Sequence, residues 1–298
     1  MTPPLPVSSS LDTIGNTPVV KLQQVVPPGS ADVYVKLEFF SPTGSYKDRM
    51  AKSMIEEAER RGQLTPGTTI VEATGGSTGS SLAYVCAVKG YPFLALSSDA
   101  YAQEKLRTMS AFGATVDIAH SPSGKATPQL MTDMKDRAAD LGNQDGYFFT
   151  NQFSNGDALV GYRQIGSELA AQFPEGIDAF CGSFGTAGMV MGVLSVLKPK
   201  LAGIRVVLVE PEEAALLSKG RKGTHGTLYD DVRAIGEQQG RDMCQRLARS
   251  EGLLVGTSSG LNIAVAIQLA KELGPGKTVV TVACDTGLKY LNGSLFSA

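Results

Sequence analysis

The chain has 298 residues, 42% hydrophobic and 19% charged, enough to build two modest domains around real cores. A net charge of -2 leaves no basic footprint for nucleic acid or an anionic membrane. No apolar run reaches membrane-spanning length and the first ten residues lack a secretory pattern, so a cytoplasmic location is the expectation.

Met1 to Ser10 is rich in Pro and Ser and reads as a loose arm. Thr13 to Pro18 is a turn into a short strand, Val19 to Leu22, and Val33 to Leu37 is the next strand. The stretch Ser41-Pro-Thr-Gly-Ser-Tyr-Lys47-Asp-Arg-Met50 then opens a helix, with Ser45 as the expected N-cap. Met50, Met54, Ile55 and Ala58 share one face of that helix, which runs to about Arg61 and is closed by Gly62. Lys47 falls in the first turn, where a cation opposes the positive end of the helix dipole. Taken alone it is a solvated surface lysine.

From there strands and helices alternate. The strands are Thr69 to Glu72, Phe93 to Leu96, Val116 to Ala119, Tyr147 to Thr150, Ala179 to Gly182, Arg205 to Val209 and Val279 to Ala283. The helices are Thr78 to Lys89, Ala102 to Phe112, Pro128 to Leu141, Asp157 to Phe173, Ala187 to Leu197, Asp230 to Ser250 and Ser259 to Leu273. The pattern predicts an α/β protein with mainly parallel sheets covered by helices on both faces. In such sheets ligands sit beyond the carboxyl ends of the strands.

Three glycine-rich turns occupy such positions: Thr74-Gly-Gly-Ser-Thr-Gly79, Gly182-Ser-Phe-Gly-Thr-Ala-Gly188 and Gly256-Thr-Ser-Ser-Gly260. Backbone N–H groups at a turn opening a helix suit an anion. Singly, each is a turn that any α/β fold needs, and none matches Walker A or the dinucleotide fingerprint. Only His120 and His225 are present, which supplies a metal site or a Ser-His-Asp triad poorly. His120 reads as a surface loop residue, and Lys219 to Lys222 as a solvated loop. Cys86, Cys181, Cys244 and Cys284 are widely separated; three lie in apolar stretches and are expected as buried thiols.

Together these motifs resemble the cysteine synthase family (O-acetylserine sulfhydrylase-like), pyridoxal-phosphate enzymes of fold type II. The resemblance runs from Ile14-Gly-Asn-Thr-Pro18 to Asp285-Thr-Gly287. It implies two three-layer α/β domains, tryptophan synthase β-like: a smaller one over 41–150 and a larger one from 11–40 plus 151–298. Ser45-Tyr-Lys-Asp-Arg49 looks like the family's S-x-K-D-R, which implies Lys47 as the Schiff-base lysine. Thr74, Gly75, Gly76 and Thr78 match the substrate-carboxylate loop, and Gln152, in a segment with Phe153 and Asn155, reaches the same carboxylate. Gly185, Thr186, Ala187, Gly188 and Met189 lie where the family holds the cofactor phosphate. Ser258 resembles the serine that faces the pyridine nitrogen.

The chain also departs from the family. Ser77 stands where Asn usually contacts the cofactor's ring oxygen, Gly75 replaces a Ser, Met189 a phosphate-facing hydroxyl, and Gly156 a Pro. After Glu210-Pro211, Leu216, Gly223 and His225, the family's I-x-G-I-G mouth loop has no counterpart between Gly226 and Thr227. Either it is deleted or this sequence omits it, and the mobility of mouth loops favours omission. His225 beside it could line the mouth.

The implied reaction is β-replacement: L-cysteine from O-acetylserine or O-phosphoserine and sulfide, through an α-aminoacrylate, with Lys47 as general base, in a homodimer. Rival readings are a serine/threonine dehydratase-like or cystathionine β-synthase-like reaction, and a non-catalytic member acting as a binding protein.

Overall fold

A computed structural model describes residues 6–185, 187–215, 217 and 229–297. In chain order the elements are β1 (Val19–Lys21), β2 (Asp32–Leu37), α1 (Lys47–Arg60), β3 (Thr69–Ala73), α2 (Ser77–Lys89) and β4 (Phe93–Ser98). Next come α3 (Gln103–Ala111), β5 (Thr115–Ala119), α4 (Pro128–Gly142), β6 (Tyr147–Phe149) and α5 (Ala158–Gln172). The remainder are β7 (Ala179–Ser183), α6 (Gly188–Lys200), β8 (Arg205–Pro211), β9 (Asp231–Ile235), α7 (Glu237–Ser250), α8 (Thr257–Leu273) and β10 (Thr278–Ala283).

The chain forms two compact units. One joins the residues up to Gly15 with Ser41–Gly161; the other joins Asn16–Phe40 with the residues from Tyr162 on. The first unit holds a four-stranded, all-parallel sheet in the order β5-β4-β3-β6. Val71 and Ala73 of β3 and Leu96 of β4 pack against Met134 and Ala138 of α4. The alternate β3 residues Ile70 and Glu72 point the other way, as a strand's period of two requires. α2 is the unit's inner helix: Thr78 through Cys86 are all buried, so that stretch has no exposed face. Its neighbour α1 buries Met50, Met54, Ile55 and Ala58 completely, as their spacing predicts.

The second unit holds a six-stranded sheet in the order β1-β2-β10-β7-β8-β9, parallel except for the β1–β2 pair. Ala179 and Cys181 of β7 face a core shared with α7 and α8. Their alternates Phe180 and Gly182 lie on the side of α6, where a Cβ on Gly182 would stand 3.1 Å from Val190. Helices therefore cover both faces of this sheet. No helix of the described residues is long and apolar enough to cross a membrane.

Two expectations change. The helix read over Asp230 to Ser250 is two elements: β9 extends the sheet beside β8, and α7 starts only at Glu237. Gly236, with an extended backbone, separates them. Ser45 lies one residue ahead of the N-cap position of α1, which Tyr46 holds with helical angles and no side-chain capping bond. The Ser45 hydroxyl still accepts the Lys47 N–H at 3.3 Å, so it serves the first turn from further out. Leu216, Gly223, His225, the Lys219–Lys222 run and the Gly226–Thr227 junction lie outside the described residues.

Candidate active site

In the first unit, β3 leads to β4 and β5 on one side while β6 lies on the other. That reversal of strand order falls between β3 and β6, where open α/β sheets bind ligands. The turn 74–79 leaves the carboxyl end of β3, and Asn151 and Gln152 leave that of β6. The Thr78 hydroxyl donates to Gln152 Oε1 at 2.7 Å, and the Gln152 amide donates to the Ala73 carbonyl at 3.2 Å. The turn and Gln152 are thus one hydrogen-bonded group. Thr74, 3% exposed, accepts the Gly79 N–H at 3.1 Å and shapes the turn from within.

Beneath this group lies a residue that sequence reasoning missed. Glu72 is 1% exposed and accepts the Thr150 hydroxyl at 2.6 Å, the Gln152 N–H at 3.0 Å and the Ala73 N–H at 3.0 Å. Burial pushes its carboxyl up to about 7, against the pull of those donors. A charged residue ending an apolar strand, one step before a glycine turn, was the available signal.

Gly76 is the N-cap of α2 and Ser77 its first residue, half-buried. No atom lies within 4 Å of where a Gly76 Cβ would be, so the turn presents open space there. After β6, Asn151 has φ 50°, and its Oδ1 is buried without a partner. An unpaired buried acceptor in the left-handed region at a strand end is the kind of strain found at ligand sites. Lys47 is the first residue of α1, half-buried, with Nζ 5.1 Å from the Tyr46 ring centroid. Its turn is held to α2: the buried Asp48 carboxylate accepts the N–H and hydroxyl of Thr43, and Thr43 Oγ1 is 3.3 Å from Ser81 Oγ.

In the second unit, β7 leads to β8 and β9 on one side while β10 lies on the other. The turn 184–187 follows β7, and Gly256, which opens α8, donates its N–H to Asp285 just after β10. Both turns therefore lie at carboxyl ends on the two sides of this switch point. Gly185 is exposed with nothing within 4 Å of a Cβ position. Ala187 caps α6 with φ 61° and ψ -23°, and Gly188 is the first helical residue. A left-handed residue ahead of a helix turns successive N–H groups toward one point and makes an anion nest. Thr186 lies outside the described residues. Met189 is 3% exposed, with its methyl 3.2 Å from a Gly182 Cβ position, so only its N–H is available to that nest. Ser258, in the first turn of α8, is exposed. Each unit by itself thus offers groups whose chemistry suits part of pyridoxal phosphate: the first an amine at Lys47, the second an open turn for an anion and the neutral Ser258 hydroxyl.

Other groups stay outside the chemistry. His120 is exposed and 2.6 Å from Asp99. The four cysteines are buried and none is in a disulfide, and burial pushes the thiols of Cys86, Cys181 and Cys244 up to about 12. Asn155 bonds Thr150 and Asp157, fixing the segment after Gln152. No cluster suited to a metal ion occurs among the described residues.

Comparison with known proteins agrees with this chemistry. The family described as "Pyridoxal-phosphate dependent enzyme" matches residues 11–285. The chain is 44% identical to cysteine synthase of Staphylococcus aureus over 310 aligned positions, covering 98% of each. It is 36% identical to O-ureido-L-serine synthase of Streptomyces lavendulae, covering 97% of this chain and 92% of that one. A crystal structure of cysteine synthase from Entamoeba histolytica superposes with a TM-score of 0.90 at 30% identity, covering 99% of this chain and 93% of the other.

Proposed function

Since the chain belongs to the pyridoxal-phosphate-dependent enzymes, we propose that it forms L-cysteine by β-replacement, exchanging the leaving group of an activated serine for sulfide. The observation that supports this most is the group at the end of β3: an open glycine turn tied to Gln152, with the Lys47 turn bound to the same helix. The bound cofactor supplies the electron sink that makes a Cα proton acidic and a Cβ substituent labile.

The chain's own residues supply the rest. Lys47 Nζ is the covalent attachment point, and the same amine takes the Cα proton of the amino acid and returns it. Thr74, Gly75, Gly76, Thr78 and Gln152 hold the substrate carboxylate. The N–H groups of Gly185, Ala187, Gly188 and Met189, with Thr186, hold the phosphate. Ser258 offers the ring nitrogen a neutral hydroxyl, which suits elimination and replacement at Cβ better than transamination. Ser77 faces the ring oxygen with a shorter side chain than Asn. We further read the active form as a homodimer.

Purified enzyme should release cysteine from sulfide with O-acetylserine or O-phosphoserine, and Lys47→Ala should lose both the turnover and the cofactor's visible absorbance. Turnover that survives in Lys47→Ala would overturn the assignment. The likeness to O-ureido-L-serine synthase favours a second reading, in which a hydroxyurea-type oxygen nucleophile replaces sulfide. Replacing sulfide by hydroxyurea in the same assay separates the two.

A further inference from the structure

Gly75 is glycine for a reason that its backbone does not give. Its φ is outside the left-handed region, so an L side chain suits the conformation. What forbids one is Tyr101: a Cβ on Gly75 would stand 2.0 Å from two ring carbons and 2.3 Å from a third. Real Cβ atoms do not approach so closely, and relief would require the ring to leave.

The ring is not free to leave. Tyr101 follows β4, and its N–H donates to the Ser98 carbonyl at 3.2 Å. Its hydroxyl donates to Met131 Sδ on α4. The ring also packs against the buried cluster of Val71, Ala73, Leu96, Met134 and Ala138. Pinned at both ends, it closes the Gly75 side of the turn, while the next residue, Gly76, opens onto space. The phenol oxygen is engaged with α4, so the turn meets the ring itself. At residue 75 the turn has traded a side chain of its own for an aromatic wall supplied by another loop.

The geometry points to Tyr101 as a specificity-determining residue for the amino-acid substrate. Seated on Gly75, it walls the carboxylate turn and admits small β-substituted amino acids in preference to bulky ones. This rests on the reading of 74–79 as the carboxylate turn. An apolar wall of this size discriminates by about 10- to 200-fold per methylene-scale change.

The test is a mutant cycle on the cofactor-loaded enzyme with O-acetyl-L-serine, the bulkier O-succinyl-L-serine and sulfide. Tyr101→Ala should raise KM for O-acetyl-L-serine about tenfold and leave kcat within about threefold. Its preference for O-succinyl-L-serine over O-acetyl-L-serine should rise about tenfold. Tyr101→Phe, which keeps the ring, should leave that preference unchanged. Gly75→Ser alone should lose about 100-fold in kcat/KM, and Gly75→Ser/Tyr101→Ala should recover at least about tenfold of it.

Binding of L-serine, read from the cofactor's absorbance, gives the same cycle without turnover. Coupling in L-serine binding with no O-acylserine turnover would refute the proposed reaction and leave the Tyr101 proposal standing. Additive effects of the two substitutions, or an unchanged substrate preference in Tyr101→Ala, would overturn it. If Gly75→Ser does not fold, the preference measured in Tyr101→Ala and Tyr101→Phe decides.

Discussion

Replacing Glu72 by Gln should make the protein less stable than wild type at pH 5 and erase or reverse that difference at pH 8. The Glu72 carboxyl ordinarily titrates near 4.5, and burial in the fold pushes it up to about 7. Between those values the unfolded chain has released a proton that the folded chain keeps. This contribution to stability is therefore full below about 4.5, falls as pH rises to about 7 and is flat above. The gap is worth about 3 kcal/mol.

Neutral Glu72 can still satisfy its surroundings. Its O–H can donate to Thr150 Oγ1, which lies 3.4 Å from the Val71 carbonyl, while both carboxyl oxygens keep accepting from Ala73 and Gln152. A Gln must aim its NH2 at one of those N–H groups, which costs about 1–3 kcal/mol. Wild type should therefore lead by about that amount at pH 5 and have lost the lead by pH 8. Urea unfolding of the cofactor-free protein, followed by far-ultraviolet circular dichroism because the chain has no tryptophan, gives the comparison. A wild-type lead that stays constant or grows between pH 5 and pH 8 would refute the reasoning.

Two further substitutions read other parts of the structure. Ala187→Gly removes a left-handed cost of about 1–2 kcal/mol and adds a glycine entropy cost of about half that, so unfolding stability should rise by up to about 1 kcal/mol, visible in a denaturant midpoint. Lys36 is fully buried on β2, with Nζ 2.8 Å from Glu168, 2.9 Å from the Thr17 carbonyl and 3.1 Å from Gln172. Lys36→Ala should cost about 3–5 kcal/mol, because Glu168 loses its cation, and Lys36→Met/Glu168→Gln should lose less. Chemical denaturation of both variants against wild type measures the difference.

The layered architecture was legible because its signals are local. The β3 and β4 segments are apolar runs of strand length, and α1, α2 and α3 are followed by Gly62, Gly90 and Gly113, all with positive φ. β9 was not legible. Among the described residues it is an edge strand bonded only to β8, half-buried, with Asp and Arg interrupting its apolar residues, and it runs into a helix one residue later. Edge strands carry weak patterns because one face of their pairing is absent.

The site divides the same way. Lys47 and the three turns stood out as residues at the ends of apolar runs. Their partnerships did not, since they are tertiary: Thr78 meets Gln152 across 74 positions, and Thr43 meets Ser81 across 38. Tyr101 is the sharpest case. Gly75 stands where the family resemblance expects a Ser, and a missing side chain in a packed turn implies a large one arriving from elsewhere. The sequence marks the gap and only the fold names the residue that fills it.

The central claim is that Lys47 carries pyridoxal phosphate for β-replacement. Borohydride reduction of the holoenzyme, followed by proteolysis and mass spectrometry, tests it most directly. The account predicts one phosphopyridoxyl group, on the peptide containing Lys47. A label on another lysine, or none on a protein purified with bound cofactor, would contradict it.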